Sequence, residues 1–379
     1  MRALVFLSLL FAAAAVQAHK PSDSYLAISV EGSVVRGQWD IALRDLEFAI
    51  GLDANGNGEI SWGELRARHA DIAAYALARL AIRADGRECK LSPTAHLVDE
   101  HSDGAYEVMR FEADCGAVGG RPANAPASIE ISYSLFFDLD PTHRGLLRFE
   151  RGGVSQTAVL SPERPRLAFQ AGKVSKLSQF FDYLREGIWH IWLGFDHILF
   201  LLSLLLPAVL SRKAGAWAPA AGFRPVFWDV LKVVTSFTIA HSITLSLAAL
   251  SVISLPSRLV ESTIALSVVL AALNNLKPLV AERRWAVAFA FGLIHGFGFA
   301  SVLADLGLPQ DTLLLALVGF NLGVEVGQLA IVSAFLPVAF LLRRSGFYRR
   351  VVFIGGSAAI ALVALVWLAE RALAVKLWP

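Results

Sequence analysis

A chain of 379 residues that is 55% hydrophobic, with a formal net charge of only +2, has more apolar sequence than a soluble core needs. It also has no basic stripe, which excludes nucleic acid as a partner. The mean hydropathy of +0.55 conceals two halves: a soluble composition up to about residue 180, then apolar runs of membrane length.

Arg2, a Leu/Phe/Ala-rich core and the small-residue pattern Val16-Gln17-Ala18 read as a secretory signal peptide, residues 1–18. Cleavage there leaves His19 at the new N-terminus, where amine and imidazole together make a ligand for copper or nickel. Export places residues 19–170 outside the cytosol. The only two cysteines, Cys89 and Cys115, fall in that region, where an oxidising compartment permits a disulfide.

Short alternating runs at 25–30, 33–43, 80–84, 105–112, 128–137 and 145–150, divided by Gly, Pro, Asp and Asn, predict an antiparallel β-sandwich. One helical insertion, 62–79, interrupts it. The insertion opens with an EF-hand-like loop, 53–64. Asp53, Asn55 and Asn57 offer side-chain oxygens, Glu59 its carbonyl, Ser61 the ninth position and Glu64 a bidentate carboxylate; Gly58 supplies the sharp turn. With Asp53 and Glu64 as its only ligating carboxylates, the loop is expected to hold Ca2+ weakly and structurally. His69, His96, His101 and His143 fit no ligand template and read as surface histidines. Residues 171–186 form a juxtamembrane linker, with Leu177, Phe180, Phe181 and Leu184 on one side of an amphipathic helix at the membrane surface.

The remainder, 187–379, holds six apolar segments, near 187–210, 227–253, 259–276, 285–303, 313–342 and 351–373. Arg212, Lys213 and Arg224 follow the first; Lys277, Arg283 and Arg284 the third; Arg343, Arg344, Arg349 and Arg350 the fifth. The positive-inside rule puts these connections in the cytoplasm and both termini outside. The expectation is a polytopic α-helical protein of a bacterial inner membrane, with about six transmembrane helices and a periplasmic N-terminal domain and C-terminus.

Ionisable groups inside such segments are costly and mark function. His190, Asp196 and His197 lie in the first segment. On a regular helix the two histidines share a face but stand roughly 10 Å apart along the axis. They therefore read as successive steps on a path, with Asp196 turned toward another span; Gly194 offers a point of local unwinding. Thr238 and His241 share a face of the second segment. Gly292, Gly296 and Ala300 in the fourth form a small-residue seam beside His295. In the fifth, Gly319, Gly323 and Gly327 make a packing stripe, with Asn321, Glu325 and Gln328 nearly opposite. Asn274 and Asn275 cap the third. Histidines with carboxylates suit borderline divalent metals, and they suit proton exchange equally.

His190-(five residues)-Asp196-His197, Ala240-His241-Ser242, His295-Gly296 and Phe320-Asn321-Leu322-Gly323-Val324-Glu325 together resemble the HupE/UreJ family of hydrogenase and urease accessory membrane proteins, over about 187–332. The start, Ala18-His19-Lys20-Pro21-Ser22-Asp23-Ser24-Tyr25-Leu26, resembles the family's longer branch. The resemblance implies a secondary transporter for nickel, or for cobalt, zinc or copper, with His190, Asp196 and His197 in its metal-selecting signature. It also implies metalloenzyme maturation proteins as partners. The second motif of nickel-linked members, two histidines and a glutamate, is represented here only by His295-Gly296. The leading reading is a permease, not an enzyme, whose path is lined by His190, His197, His241, His295 and Glu325. The alternatives are an intramembrane metal-dependent hydrolase and a calcium-binding sensor or docking module with a membrane anchor.

Overall fold

The computed structural model describes residues 22–32, 34–101, 104–115, 126–170, 176–213, 216–250, 252–277, 280, 283–298 and 310–373. The signal segment, His19, residues 171–175 of the linker and the end of the fourth apolar segment, Ala300 included, lie outside the described residues.

The N-terminal half is mainly β. Strands β1 (Asp23–Glu31), β2 (Val34–Ala42), β5 (Lys90–His101), β6 (Gly104–Asp114), β8 (Arg144–Arg151) and β9 (Val154–Leu160) form a six-stranded sheet in the order β5-β6-β2-β1-β8-β9. Strands β3 (Leu80–Ala84), β4 (Arg87–Glu88), β7 (Ser128–Tyr133) and β10 (Arg166–Gln170) form a second sheet, β10-β7-β3-β4. Period-two alternation builds the interface between them. Leu26, Ile28, Val35, Trp39 and Ile41 from one sheet meet Ile82, Ile129 and Ile131 from the other in a shared core. Cys89 and Cys115 are joined as a disulfide.

The expectation of a purely antiparallel sandwich is corrected: β1 pairs with β8 in parallel, Tyr25 opposite Leu146. Five elements of this half also escape the sequence pattern: β4, β5, β9, β10 and a helix at Leu43–Ile50. The edge strand β5 is largely exposed and carries Pro93 at a register shift, so it shows no alternation. Helix α1 (Leu43–Ile50) is hidden behind the apolar run of β2. The single helical insertion is in fact two helices, α2 (Trp62–Ala67) and α3 (His69–Leu77), and α1 precedes the loop they follow.

Of the four described histidines of this half, expected at the surface, His143 is buried and the other three are partly buried and paired or stacked. His143 is fully buried in a directed chain of hydrogen bonds. Trp39 Nε1 donates to Ser24 Oγ (3.1 Å), Ser24 Oγ meets Tyr133 Oη (2.7 Å), and Tyr133 Oη meets His143 Nε2 (2.5 Å). His143 Nδ1 then meets Ser22 Oγ (2.5 Å), which donates to Asp45 (2.8 Å). His101 pairs with Asp40 at 3.2 Å, His96 with Glu107 at 2.5 Å, and His69 stacks on His96. None of this is visible as sequence spacing, because strands distant in the chain bring the partners together.

The C-terminal half is helical. Helices α4 (Lys176–Leu193) and α5 (Phe195–Leu205) are joined at Gly194 and bent by 71°. A hairpin of β11 (Leu210–Lys213) and β12 (Ala216–Pro219) follows. Then come α6 (Phe223–Ala249), α7 (Ser257–Leu276), α8 (Arg284–His295) with a 3-10 turn over Gly296–Gly298, and α9 (Gln310–Leu342). A π-helical stretch, Tyr348–Gly355, leads into α10 (Gly356–Leu373). Among the described residues, four segments are long and apolar enough to cross a membrane, and five if the bent pair counts as one span. The fourth expected segment contributes only the 12 residues of α8 before the described residues end at 298.

Close packing follows the small residues. A Cβ at Gly187 of α4 would land on the Phe320 carbonyl of α9, and one at Gly323 on the Leu184 carbonyl. Gly292 and Gly296 admit the α6 backbone at Phe237 and His241 in the same way. The 176–186 segment is therefore no separate surface helix: it runs on as α4, with Phe180 and Leu184 against the glycine stripe of α9. Asn275 does more than cap: its Nδ2 reaches the Ser203 carbonyl (2.8 Å) and Ser357 Oγ (3.2 Å), tying α7 to α5 and α10.

Burial holds the His143 imidazole neutral, with its pKa pushed down to about 3 from 6.5. The unfolded chain therefore binds the proton first, and stability is lost as pH falls from 6.5 toward 3. The full effect is on the order of 5 kcal/mol. Thermal melts between pH 7 and pH 4 should show this slope in the wild type, and His143→Gln should flatten it.

Candidate metal centre

The break at Gly194 decides the geometry of the site. The Gly194 N–H still bonds the His190 carbonyl (3.0 Å) and Ile198 the Gly194 carbonyl (2.9 Å), but the axis turns between them. The helix bend folds His197, in the first turn of α5, back onto His190 at the end of α4. Their ring centroids are 4.6 Å apart. The expectation of two steps along a path, drawn from a regular helix, is thus corrected: the two histidines belong to one cluster. A Cβ on Gly194 would lie 2.6 Å from the His190 carbonyl and 3.0 Å from His197 Nδ1, so only glycine fits the turn.

His241 of α6 completes the cluster, its ring centroid 6.2 Å from that of His190 and 6.4 Å from that of His197. One ligand atom from each of the three lies within 4.8 Å of the others. His295 of α8 flanks them, 5.1 Å from His197. Phe200 and Phe237 wall the His295 side, and Phe320 stands 5.2 Å from His190.

Hydrogen bonds fix which nitrogen of each imidazole carries the proton. Asp196 Oδ1 accepts from His197 Nδ1 (2.9 Å), and its other oxygen faces Arg371 of α10 at 3.9 Å. His241 Nδ1 points at Asn321 Oδ1 (3.3 Å); the Asn321 amide is itself set by donation to the Leu317 carbonyl (2.8 Å). Ser267 Oγ spends its hydrogen on the Ile264 carbonyl (2.6 Å), so it accepts from His295 Nε2 (2.8 Å). That leaves Nε2 of His197, Nε2 of His241 and Nδ1 of His295 as buried lone pairs with no hydrogen-bond partner among the described residues. Buried polar atoms are rarely left so. A divalent cation fits the group of His190, His197 and His241, whose ligand atoms converge within 4.8 Å, with His295 flanking it, since neutral imidazole held by a second hydrogen bond is a common transition-metal ligand.

Glu325 and Gln328 sit elsewhere. Glu325 Oε1 accepts from Thr235 (2.7 Å) and Gln328 Oε1 from Thr238 (3.0 Å), so both line the α6–α9 seam outside the three-histidine cluster. Glu325 Oε2 is buried without a partner among the described residues. Sequence reasoning missed Ser267 and Arg371. Arg371 was findable, as a lone cation within an apolar run; Ser267 had no signal of its own.

The EF-hand-like loop is wrapped around its acidic ends. Asp53 accepts the amides of Gly56 (2.8 Å), Asn57 (3.2 Å) and Gly58 (2.7 Å), and Glu64 those of Ala54 (3.1 Å), Asn55 (3.3 Å) and Ser61 (3.0 Å). Gly58 stands at φ 83°, as the turn requires. These hydrogen bonds, from Gly58 foremost at Asp53 and from Ser61 at Glu64, hold both carboxyls below the usual range.

The fold and the cluster define a polytopic membrane protein with a buried histidine site. The model of the HupE / UreJ protein family matches residues 166–371, more than half of the chain and all of the cluster, and the chain belongs to that family. No curated protein matches it.

Asp196→Asn should weaken metal binding by about 10- to 100-fold, the usual cost of losing the carboxylate behind a histidine ligand. Zinc or nickel titration of the detergent-purified protein measures it.

Proposed function

We propose that the chain is a bacterial inner-membrane permease for a divalent transition metal, nickel first and cobalt, zinc or copper after it. The observation that carries this reading is the convergence of His190, His197 and His241 inside an apolar bundle. His190, His197 and His241 would hold the ion, with His295 beside them. Asp196 and Asn321 orient two of those rings. Glu325 and Gln328 would form a second polar station along the α6–α9 seam, at hydrogen-bonding distance from Thr235 and Thr238. Family membership supports a metal-related accessory or transport role, and the charge bias of the connections supports an extracytoplasmic N-terminal domain.

One observation favours a second reading. Three imidazoles with an open fourth position also suit a catalytic zinc that activates water. A hydrolase would keep one ion per chain through purification, whereas a permeation path releases it to a chelator wash; elemental analysis separates them.

In the exported domain the same proposal assigns Ca2+ to Asp53, Asn55, Asn57, the Glu59 carbonyl, Ser61 and Glu64, as a structural ion. The arrangement of α1, the loop and α2 supports this. A mature N-terminus at His19 would add a ligand for copper or nickel.

Proteoliposome uptake is the decisive assay. His197→Ala and His241→Ala should each cut metal flux at least tenfold, and unchanged flux in both would sink the permease. Millimolar Ca2+ should raise the melting temperature of the wild type and leave that of Glu64→Gln unchanged.

A further inference from the structure

We propose that His69, His96 and Glu107 form a second transition-metal site, in the exported domain, separate from both the intramembrane cluster and the 53–64 loop. It would take a borderline divalent ion such as zinc, copper(II) or nickel.

The three residues come from three elements. His69 opens α3, directly after the helix that leaves the loop. His96 lies on β5 and Glu107 on β6, as diagonal neighbours in a register that sets His96 opposite Met109 and Val98 opposite Glu107. One ligand atom from each lies within 4.8 Å of the others. The two imidazoles stack at 4.4 Å with planes 10° apart, and His96 Nδ1 is 2.5 Å from Glu107 Oε1.

What points to a ligand is the part of the cluster that internal pairing leaves unsatisfied. Glu107 is 0% exposed, yet its Oε2 meets no donor among the described residues. His69 Nε2 is likewise buried without a partner among them. A purely structural ion pair would need only His96 and Glu107, and it leaves one carboxylate oxygen and one ring nitrogen facing each other's neighbourhood unfilled. Stranding such groups is costly. A cation would satisfy both at once.

The donor set is chemically specific. Two imidazoles and one carboxylate, with a fourth position left for water, is an established zinc set, and hard cations such as Ca2+ and Mg2+ prefer all-oxygen cages. With zinc–ligand bonds of about 2.0–2.2 Å, ligand atoms lying within 4.8 Å of one another can converge on one ion.

The test compares zinc stoichiometry of the full-length chain in detergent, wild type against His69→Ala, after a chelator wash and in calcium-containing buffer. Any ions in the membrane half contribute equally to both and cancel in the difference. The expected result is one zinc fewer per chain, or at least tenfold weaker binding of that ion, in His69→Ala. The same loss is expected in Glu107→Gln. His69 Nε2 makes no hydrogen bond, so its removal leaves the fold intact, which the melting temperature checks. X-ray absorption of the zinc-loaded His197→Ala/His241→Ala protein should show two imidazoles and an oxygen donor. Equal stoichiometry and affinity in wild type and His69→Ala would overturn the proposal, whatever the transport assay returns.

Discussion

The membrane half depends on one broken helix. Had α4 continued through Gly194, seven residues of rise would have held His190 and His197 roughly 10 Å apart. The 71° bend brings the rings to 4.6 Å instead. The bend is tolerated because the polar groups it frees are turned inward and reused. Asp196, in the first turn of α5, accepts the His197 amide (2.8 Å) as well as its ring nitrogen. A carboxylate near a helix N-terminus is stabilised by the helix dipole, so the residue that starts the new helix also orients its histidine.

The surrounding helices divide two tasks by face. On α9 the glycine stripe lets α4 approach to backbone contact, which sets where His190 stands. The opposite face presents Asn321, Glu325 and Gln328 to α6. Close packing and polar lining are thereby linked: a side chain in the stripe would move α4 and pull His190 away from His241. In an apolar surround, association of this kind rests on packing and interhelical hydrogen bonds rather than on the hydrophobic effect.

Much of this was legible in the sequence, and the limits have physical causes. Membrane-length runs, the glycine stripe and the buried histidines are local signals, and among the described residues four of the six expected runs, or five with the bent pair, are long and apolar enough to cross a membrane. Angular arithmetic on His190 and His197 failed because it assumed an unbroken helix, even though Gly194 marked the weak point. Periodicity found β1, β2 and β7, whose alternate residues are buried, and missed β5, whose side chains are mostly outside any core. The family motifs named His190, Asp196, His197, His241 and His295 together. They said nothing of Ser267 or Arg371, which act on those residues from helices that chain order keeps distant. The histidines of the N-terminal domain were misread for the same reason: Glu107 is eleven residues from His96, and only strand pairing makes them neighbours.

The N-terminal domain and the site are mechanically continuous. Tyr25, Tyr106 and Leu146 of the sandwich share an apolar cluster with Tyr183, Leu245, Ala249, Leu313 and Phe320 of the helices. Tyr183 also bonds Thr157 of β9 at 2.6 Å. His190 lies seven residues along its helix from Tyr183, and His241 eight from Ala249, so the cluster begins roughly 10–12 Å below the sandwich. A domain merely tethered by a flexible linker would bury nothing in common with the bundle. Here residues of the sandwich pack directly against the helices that carry His190 and His241. The domain therefore belongs to the architecture of the site, which weighs against reading the membrane half as an anchor alone.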